Sequence, residues 1–307
     1  MKLFILLFVC PVLLLAERIQ PPDQDRPDFV RTRETEKATL LETALVTYQK
    51  DALTLDLIGA VHLADAAYYQ RLNALFKNYE ALLFELVGGE NLQAELQKKE
   101  ILEEEEEPLL PLPAEKEAEA LPEEPGPPAG LDFLSTLFDK SARFLNLTLQ
   151  LEEIDYSAPN FIHADVTLKE FHALQEQRNE SLLTFMLQTS TQAPRNRATE
   201  PNSFRLLKGL LFRKPNLIKR ELVGTLGTAD DELAAVLGDS VIITDRNAKA
   251  LRVLKEEMAK GHRKIGIFYG AGHFPDMEER LLKMGFQKVK TRWLPAWTIP
   301  KPPQRQD

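Results

Sequence analysis

Three side chains combine type and context in a way that chemistry could use: His62 in "LIGAVHLAD", Glu85 in "ALLFELVGG" and His273 in "FYGAGHFPD". Gly59, Ala60, His62 and Asp65 of the first stretch match Gly270, Ala271, His273 and Asp276 of the last, 211 positions later. Each histidine follows an apolar run and a Gly-Ala pair. A sheet would therefore fix its backbone, a tight glycine turn would bend the chain, and the ring could be aimed. Two imidazoles and a carboxylate suit a divalent metal with open positions, and water on such an ion can attack an amide or ester carbonyl. The same trio can also work without metal, one histidine acting as a base oriented by Glu85. Packing explains a single histidine after a glycine; the repeat argues for a site. Glu85 closes an apolar run, where an unpaired buried carboxylate is costly. Arg246 in "TDRN" could stabilise an oxyanion, with Asp245 before it read as a helix N-cap. His163 and Asp165 in "FIHAD" stay open between a structural pair and a site role. His172 and His262 read as helix-surface residues, and Trp293 and Trp297 as packing.

The elements that must position these groups alternate. Thr39–Tyr48 and Leu53–Ala60 are apolar enough for strands. Asp65 is placed to cap a helix running to about Asn78, with Tyr69, Leu72, Leu75 and Phe76 on one face. Ala81–Val87 follows as a buried strand, giving a β-α-β unit with parallel strands and a right-handed crossover. Residues 131–153 read as helix, and Asn160–Ala164 as a short apolar stretch. Thr167 and Glu170 make a capping box. Residues 168–240 are mostly helical, broken at Pro194, Pro201 and Pro215. Ser240–Thr244 reads as a strand and Arg246–Lys260 as a helix closed by Gly261. A strand over Arg263–Tyr269, a helix over Asp276–Met284 capped by Asp276, and a strand over Gln287–Leu294 complete the chain. Both histidines then leave the carboxyl ends of parallel strands, the edge where open α/β sheets hold ligands.

Composition separates this domain from its surroundings. The chain has 307 residues, 38 Lys and Arg against 47 Asp and Glu. Residues 93–130 hold twelve Glu and three Lys, a balance of −9 that equals the net charge of the whole chain. That Glu/Pro-rich stretch cannot bury enough apolar surface to offset its ordering entropy, so it reads as a disordered insertion. At the start, Met1-Lys2 precedes an apolar run ending at Ala16. This fits a secretory signal peptide over 1–16, with a signal anchor as the alternative, and export to a periplasmic or extracellular space. The single cysteine, Cys10, falls inside it, so thiol catalysis and disulfides are excluded from the mature chain. Residues 17–36 read as a linker, 37–299 as the domain and 300–307 as a tail. A basic run over 195–220 offers peripheral membrane contact or a solvated helical face. No nucleic-acid motif is present. His-Glu-x-x-His and Gly-x-Ser-x-Gly are absent, and "GAGHFPD" lacks the glycine a dinucleotide loop needs.

The paired "GAVH" and "GAGH" motifs with a strand-borne Glu between them resemble the TraB/PrgY/GumN family, which includes the TIKI metalloproteases. "NFIHADVTLKEF", "TDRN" and "YGAGHFPDMEERLLKMGF" are similar to bacterial members, and the likeness spans roughly residues 37–299 outside the acidic insertion. The resemblance implies an erythromycin esterase/ChaN-like α/β fold, a central mainly parallel sheet flanked by helices with a largely helical middle. It implies metal-dependent hydrolysis of a peptide or similar carbonyl substrate, with manganese or cobalt, or else zinc, as the ion. Its motif residues carry over to His62, His273 and Glu85, and a site arginine to Arg246. Two other activities stay open beside it: a metal-free esterase-like hydrolase with a histidine base, and a non-catalytic haem or ligand carrier in the ChaN manner.

Overall fold

A computed structural model describes residues 29–92, 140–178, 202–226 and 243–301. The signal segment, the acidic insertion and most of Ser240–Thr244 lie outside those residues. In chain order the strands are β1 (Val30–Glu34), β2 (Ala38–Lys50), β3 (Leu53–Ala60), β4 (Leu63–Ala64), β5 (Ala81–Phe84), β6 (Thr148–Leu149), β7 (Phe161–His163), β8 (Lys264–Gly270) and β9 (Gln287–Pro300). The helices are α1 (Ala66–Phe76), α2 (Gln150–Glu153), α3 (Leu168–Arg178), α4 (Ser203–Leu211), α5 (Pro215–Leu226), α6 (Thr244–Ala259) and α7 (Phe274–Lys283). The molecule is mixed α/β, with a mainly parallel central sheet flanked by helices.

At the sheet's centre β3, β8, β5 and β7 lie side by side in that order, all parallel. Their near-continuous Leu, Ile, Phe and Ala content is what burial on both faces demands, and Leu57, Ile58, Leu82, Leu83 and Ile267 are fully buried. Each such leucine or isoleucine contributes on the order of 1.5–3 kcal/mol relative to exposure. The β3-α1-β5 unit is present as its pattern implies, but β3 and β5 do not touch. β8, made some two hundred residues later, fills the gap between them.

An antiparallel set extends the sheet. β2 is long enough to pair with β9 along Ala38–Gln49, while its other edge is shared by β1 (Thr39–Thr43) and β3 (Leu45–Lys50). Three stretches differ from their sequence expectation. The stretch 17–36 is not all linker, because Val30–Glu34 is a sheet strand, and the final strand runs past Leu294 to Pro300. A continuous helix over 131–153 is also interrupted, since Asn146 takes φ 52°, Thr148–Leu149 pairs with β4, and only Gln150–Glu153 is helical beyond it. The capping box at α3 forms in both directions, Thr167 N–H to Glu170 Oε2 at 2.8 Å and Glu170 N–H to Thr167 Oγ1 at 3.1 Å.

Glu42, buried in β2, accepts from Arg31 Nε (2.9 Å) and from Arg33 Nε and Nη2 (3.0 and 2.9 Å). Burial alone would raise its pKa, but the two guanidinium groups outweigh burial and leave it below the ordinary value of 4.5. A depressed carboxylate contributes stability that is complete above its unfolded pKa and lost as pH falls through the folded one. Glu42→Gln should therefore lower Tm at pH 7, and the gap from wild type should close as pH drops below 4.5. Thermal melts of both proteins across pH 3–7 check this; a gap independent of pH would refute the ion pair's role.

Candidate functional site

The parallel block presents four carboxyl ends on one edge, at Ala60, Phe84, His163 and Gly270. The groups just past them are His62, Glu85, Asp165 and the turn ending at His273. The first turn of α6 adds Arg246 and Asn247.

His62 is held through its backbone. Tyr68 and Tyr69, adjacent in α1, donate their hydroxyls to the carbonyls of Gly59 (2.5 Å) and Val61 (2.8 Å). Gln150 N–H donates to the carbonyl of His62 at 3.0 Å. Three anchors within four residues fix the chain and leave His62 exposed. Asp65 is the N-cap residue of α1, as read from sequence, although its carboxylate does not cap the helix: it accepts from Thr298 N–H at 2.6 Å.

Neither motif glycine makes the tight turn its context suggested. Gly59 lies inside β3, where a Cβ would stand 3.1 Å from both the Ala44 carbonyl and Thr43 Cβ, so it permits close strand approach. Gly270 ends β8 with φ −51°, and a Cβ there would come 3.2 Å from Glu85 Oε2. Its bareness lets that oxygen reach the Gly270 N–H at 2.5 Å. Helix α7 begins at Phe274, so Asp276 sits in its first turn, accepting from Asn247 Nδ2 (2.7 Å) and Arg280 Nε (2.8 Å). Likewise Thr244 belongs to α6 instead of a strand, and Asp245 lies in the first turn with Ile243 at the N-cap position.

Arg246 joins the strand ends. Its Nε and Nη2 bind both oxygens of Asp165, at 2.9 and 2.6 Å, and Nη2 also reaches Glu85 Oε1 at 2.5 Å. Asp165 is fully buried and Arg246 nearly so. The Glu85 main chain is itself tied to β8, its N–H bonding the Phe268 carbonyl at 3.1 Å. Tyr269 OH donates to the Ala164 carbonyl at 2.6 Å, linking β8 to the strand end that carries Asp165.

His273 is oriented by Asn247, whose Oδ1 lies 2.7 Å from Nδ1 and whose Nδ2 holds the His273 carbonyl at 3.0 Å. An amide oxygen only accepts, so Nδ1 carries the proton and Nε2 presents a lone pair in the neutral ring. Nε2 is 3.6 Å from Glu85 Oε1 and 3.5 Å from Arg246 Nη1. Burial, reinforced by the Arg246 charge, overcomes Glu85, Asp165 and Asp276 and lowers the His273 pKa to about 4. For Glu85, burial opposes ionisation, but His273, Arg246, His62 and the Gly270 N–H together bring its pKa to about 2. With His273 neutral at pH 7, the Arg246 guanidinium is the permanent charge behind that depression. Burial and the charge on Glu85 push Tyr156, which packs against Phe84, up to about 12.

Glu85, His273 and Arg246 thus meet in one cluster. His62 stands beside it, near enough for its charge to act on Glu85. Among the described residues, no group of three or more His, Cys, Asp or Glu side chains is arranged to hold a metal ion. His163 turns elsewhere, its Nε2 on the Leu86 carbonyl at 2.7 Å. His172 is exposed on α3, as expected; His262 follows α6 instead of lying on it and pairs with Glu257 at 3.0 Å. Trp297 is buried with its N–H on the Leu63 carbonyl, and Arg31 stacks over Trp293. Asp165, left open in the sequence between a structural pair and a site role, is a site member that binds Arg246 instead of His163, and Asn247 is the member sequence reasoning did not select. Asp165 had a usable signal, an acid closing the apolar run "FIHAD" as Glu85 closes "LLFE". Asn247 had none beyond standing next to Arg246.

No family model matches the chain, and neither a curated protein nor a solved structure matches it.

Removing Arg246 would leave two buried carboxylates without their cation. Arg246→Ala should destabilise the fold by about 3–5 kcal/mol, with Arg246→Lys intermediate because an ammonium cannot make the planar fork. Urea unfolding measures both; a loss near zero would show that the carboxylates find other partners. Gly270→Ala should spare most of that stability, since the close neighbour is a movable side-chain oxygen, yet displace Glu85 by a few tenths of an ångström. A crystal structure of the variant checks the displacement.

Proposed function

We propose that this chain is an exported, metal-dependent hydrolase acting on a peptide or similar carbonyl substrate. In this reading Glu85 and His273 would hold the ion, manganese or cobalt by preference, and His62, which is not grouped with them as a ligand set in the structure, would turn in to complete it. One observation carries the reading: Glu85 Oε1 and His273 Nε2 face each other at 3.6 Å, both locked in their electron-donating forms. Metal–ligand bonds of about 2.0–2.2 Å let one ion span that gap. Oε1 also accepts from Arg246, but each carboxylate oxygen has a second lone pair. The third donor would come from His62, which is exposed on a fixed backbone beside Glu85.

A bound ion of this kind lowers the pKa of its water toward neutrality and polarises a carbonyl. The chain's own residues supply the rest. Asn247 holds His273 in the tautomer that aims Nε2 at the site, as partners of metal-binding histidines commonly do. Gly270 N–H and Arg246 hold both oxygens of Glu85. Asp165 anchors the Arg246 fork, leaving the Nη1 edge facing His273, where it can stabilise negative charge developing on a substrate oxygen.

A metal-free mechanism asks more of the same groups. A base works best with a pKa near the working pH, and His273 at about 4 is a poor proton acceptor at neutrality. That role would fall to His62 at the exposed side of the cluster.

Metal content of the purified protein, followed by titration with Mn²⁺, Co²⁺ and Zn²⁺ after chelation, tests the reading. Wild type should take up one equivalent and hydrolyse members of a peptide or ester library only when loaded. His273→Ala and Glu85→Gln should abolish tight uptake, and Asn247→Leu should weaken it by about 10–100-fold. A wild-type protein that binds none of the three ions refutes the metal site. Hydrolysis by the metal-free protein, lost in His62→Ala, would transfer the chemistry to the histidine base.

A further inference from the structure

Helix α5 packs beside β1, β2 and β9, and α4 packs on α5. Helix α4 has two apolar faces. Gly209, Leu206 and Leu210 turn inward, and Gly209 sits so close to Ile218 of α5 that a Cβ would come within 2.5 Å of Ile218 Cγ1. The outer face is apolar as well. Phe204, Leu207 and Leu211, at i, i+3 and i+7, are 74, 53 and 72 % exposed, and Phe212 at the C-cap is 61 % exposed. The other large exposed apolar residues among those described, Leu151, Leu168, Leu282 and Val289, come one each from four different elements. Isolated exposed leucines are ordinary, whereas a contiguous apolar face marks a contact surface.

Charge identifies the contact. From Asn202 to Arg220 the chain carries six Lys and Arg and no Asp or Glu. Lys219 is buried against Asp65 at 3.7 Å, and Arg205 pairs with Glu221 at 3.1 Å. Lys208, Arg213 and Lys214 are exposed around the apolar face and form no ion pair among the described residues. A helix with Phe and Leu on one side and Lys and Arg around it is the pattern that lies in a membrane interface, apolar face down, cations toward anionic headgroups. A protein groove would need acids placed opposite these particular cations; a lipid surface supplies negative charge in any register.

We propose that the outer face of α4 docks this protein on an anionic lipid surface. The face is independent of the strand-end cluster, so the docking stands or falls apart from the hydrolase reading. On the α5 side, Lys219 pairs with Asp65, three residues after His62.

A tryptophan at position 204 reports on this face alone, whatever other segment of the chain meets lipid. Phe204 is largely solvent-exposed, so Phe204→Trp spares the fold, which circular dichroism confirms. With vesicles containing phosphatidylglycerol, its emission should shift to the blue and be quenched by brominated acyl chains, after subtraction of the Trp293 and Trp297 signal in wild type. Pure phosphatidylcholine should give no shift, and salt should weaken the effect. Adding Lys208→Glu and Lys214→Glu should reduce vesicle affinity on the order of tenfold or more. Absence of a shift on anionic vesicles overturns the proposal, as does an equal shift on phosphatidylcholine. A shift that grows with protein concentration without lipid would assign the face to a second copy of the chain, and also overturns it.

Discussion

One guanidinium must neutralise two carboxylates that the sheet delivers to the same few ångströms. Glu85 leaves β5 and Asp165 leaves β7, neighbouring parallel strands, so their acids arrive side by side at a buried edge. Like charges so placed would raise one another's pKa and repel. Arg246, presented from the first turn of α6, binds both. Its cation keeps Glu85 ionised and also works against a proton on His273. Burial and this cation both act on Glu85 and His273. Lysine could supply the charge but not the fork, which fixes Asp165 through two nitrogens while a third contact goes to Glu85.

The two halves of the sheet divide the work. The parallel half ends in polar groups and needs its terminal residues to be aimed, so its strands are short and its loops are held by side-chain anchors such as Tyr68, Tyr69 and Tyr269. The antiparallel half is long and continuous, β2 and β9 pairing over most of their lengths. It carries ladder bonds and buried aliphatic mass, with the Glu42 ion pairs on its flank. Rigid elements behind a cluster give positional precision that loops alone cannot.

What could be read from the chain followed the range of the forces involved. The apolar runs at Leu53–Ala60 and Ala81–Phe84 and the Thr167 capping box are local patterns, and each describes its own few residues. Strand order is not local. Nothing in "LTLDLIGA" says that its neighbour lies some two hundred residues away in place of the nearby "ALLF". The glycines were misread for a related reason. In sequence, glycine advertises a turn, while here Gly59 and Gly270 make room for Ala44 and for the Glu85 carboxylate, partners visible only in three dimensions. Asp276 shows the same limit: its spacing matches Asp65, but a helix that starts two residues earlier converts a cap into a partner for Asn247 and Arg280. Asp165 and Asn247 acquire meaning only once Arg246 and His273 are in place.

The position of β8 bears on how the molecule comes into being. An N-terminal fragment containing β3, α1, β5 and β7 has two strands whose proper neighbour has not been made, and an unfilled slot between them. Joining Leu55 to Ile265 closes a loop of about two hundred residues, and that entropy must be met before the contacts return anything. The same strand brings Gly270 and His273. Newly made chain therefore passes through a long interval in which much of the sheet's sequence exists and the strand-end cluster does not, and filling the gap between β3 and β5 is the same event as assembling the site.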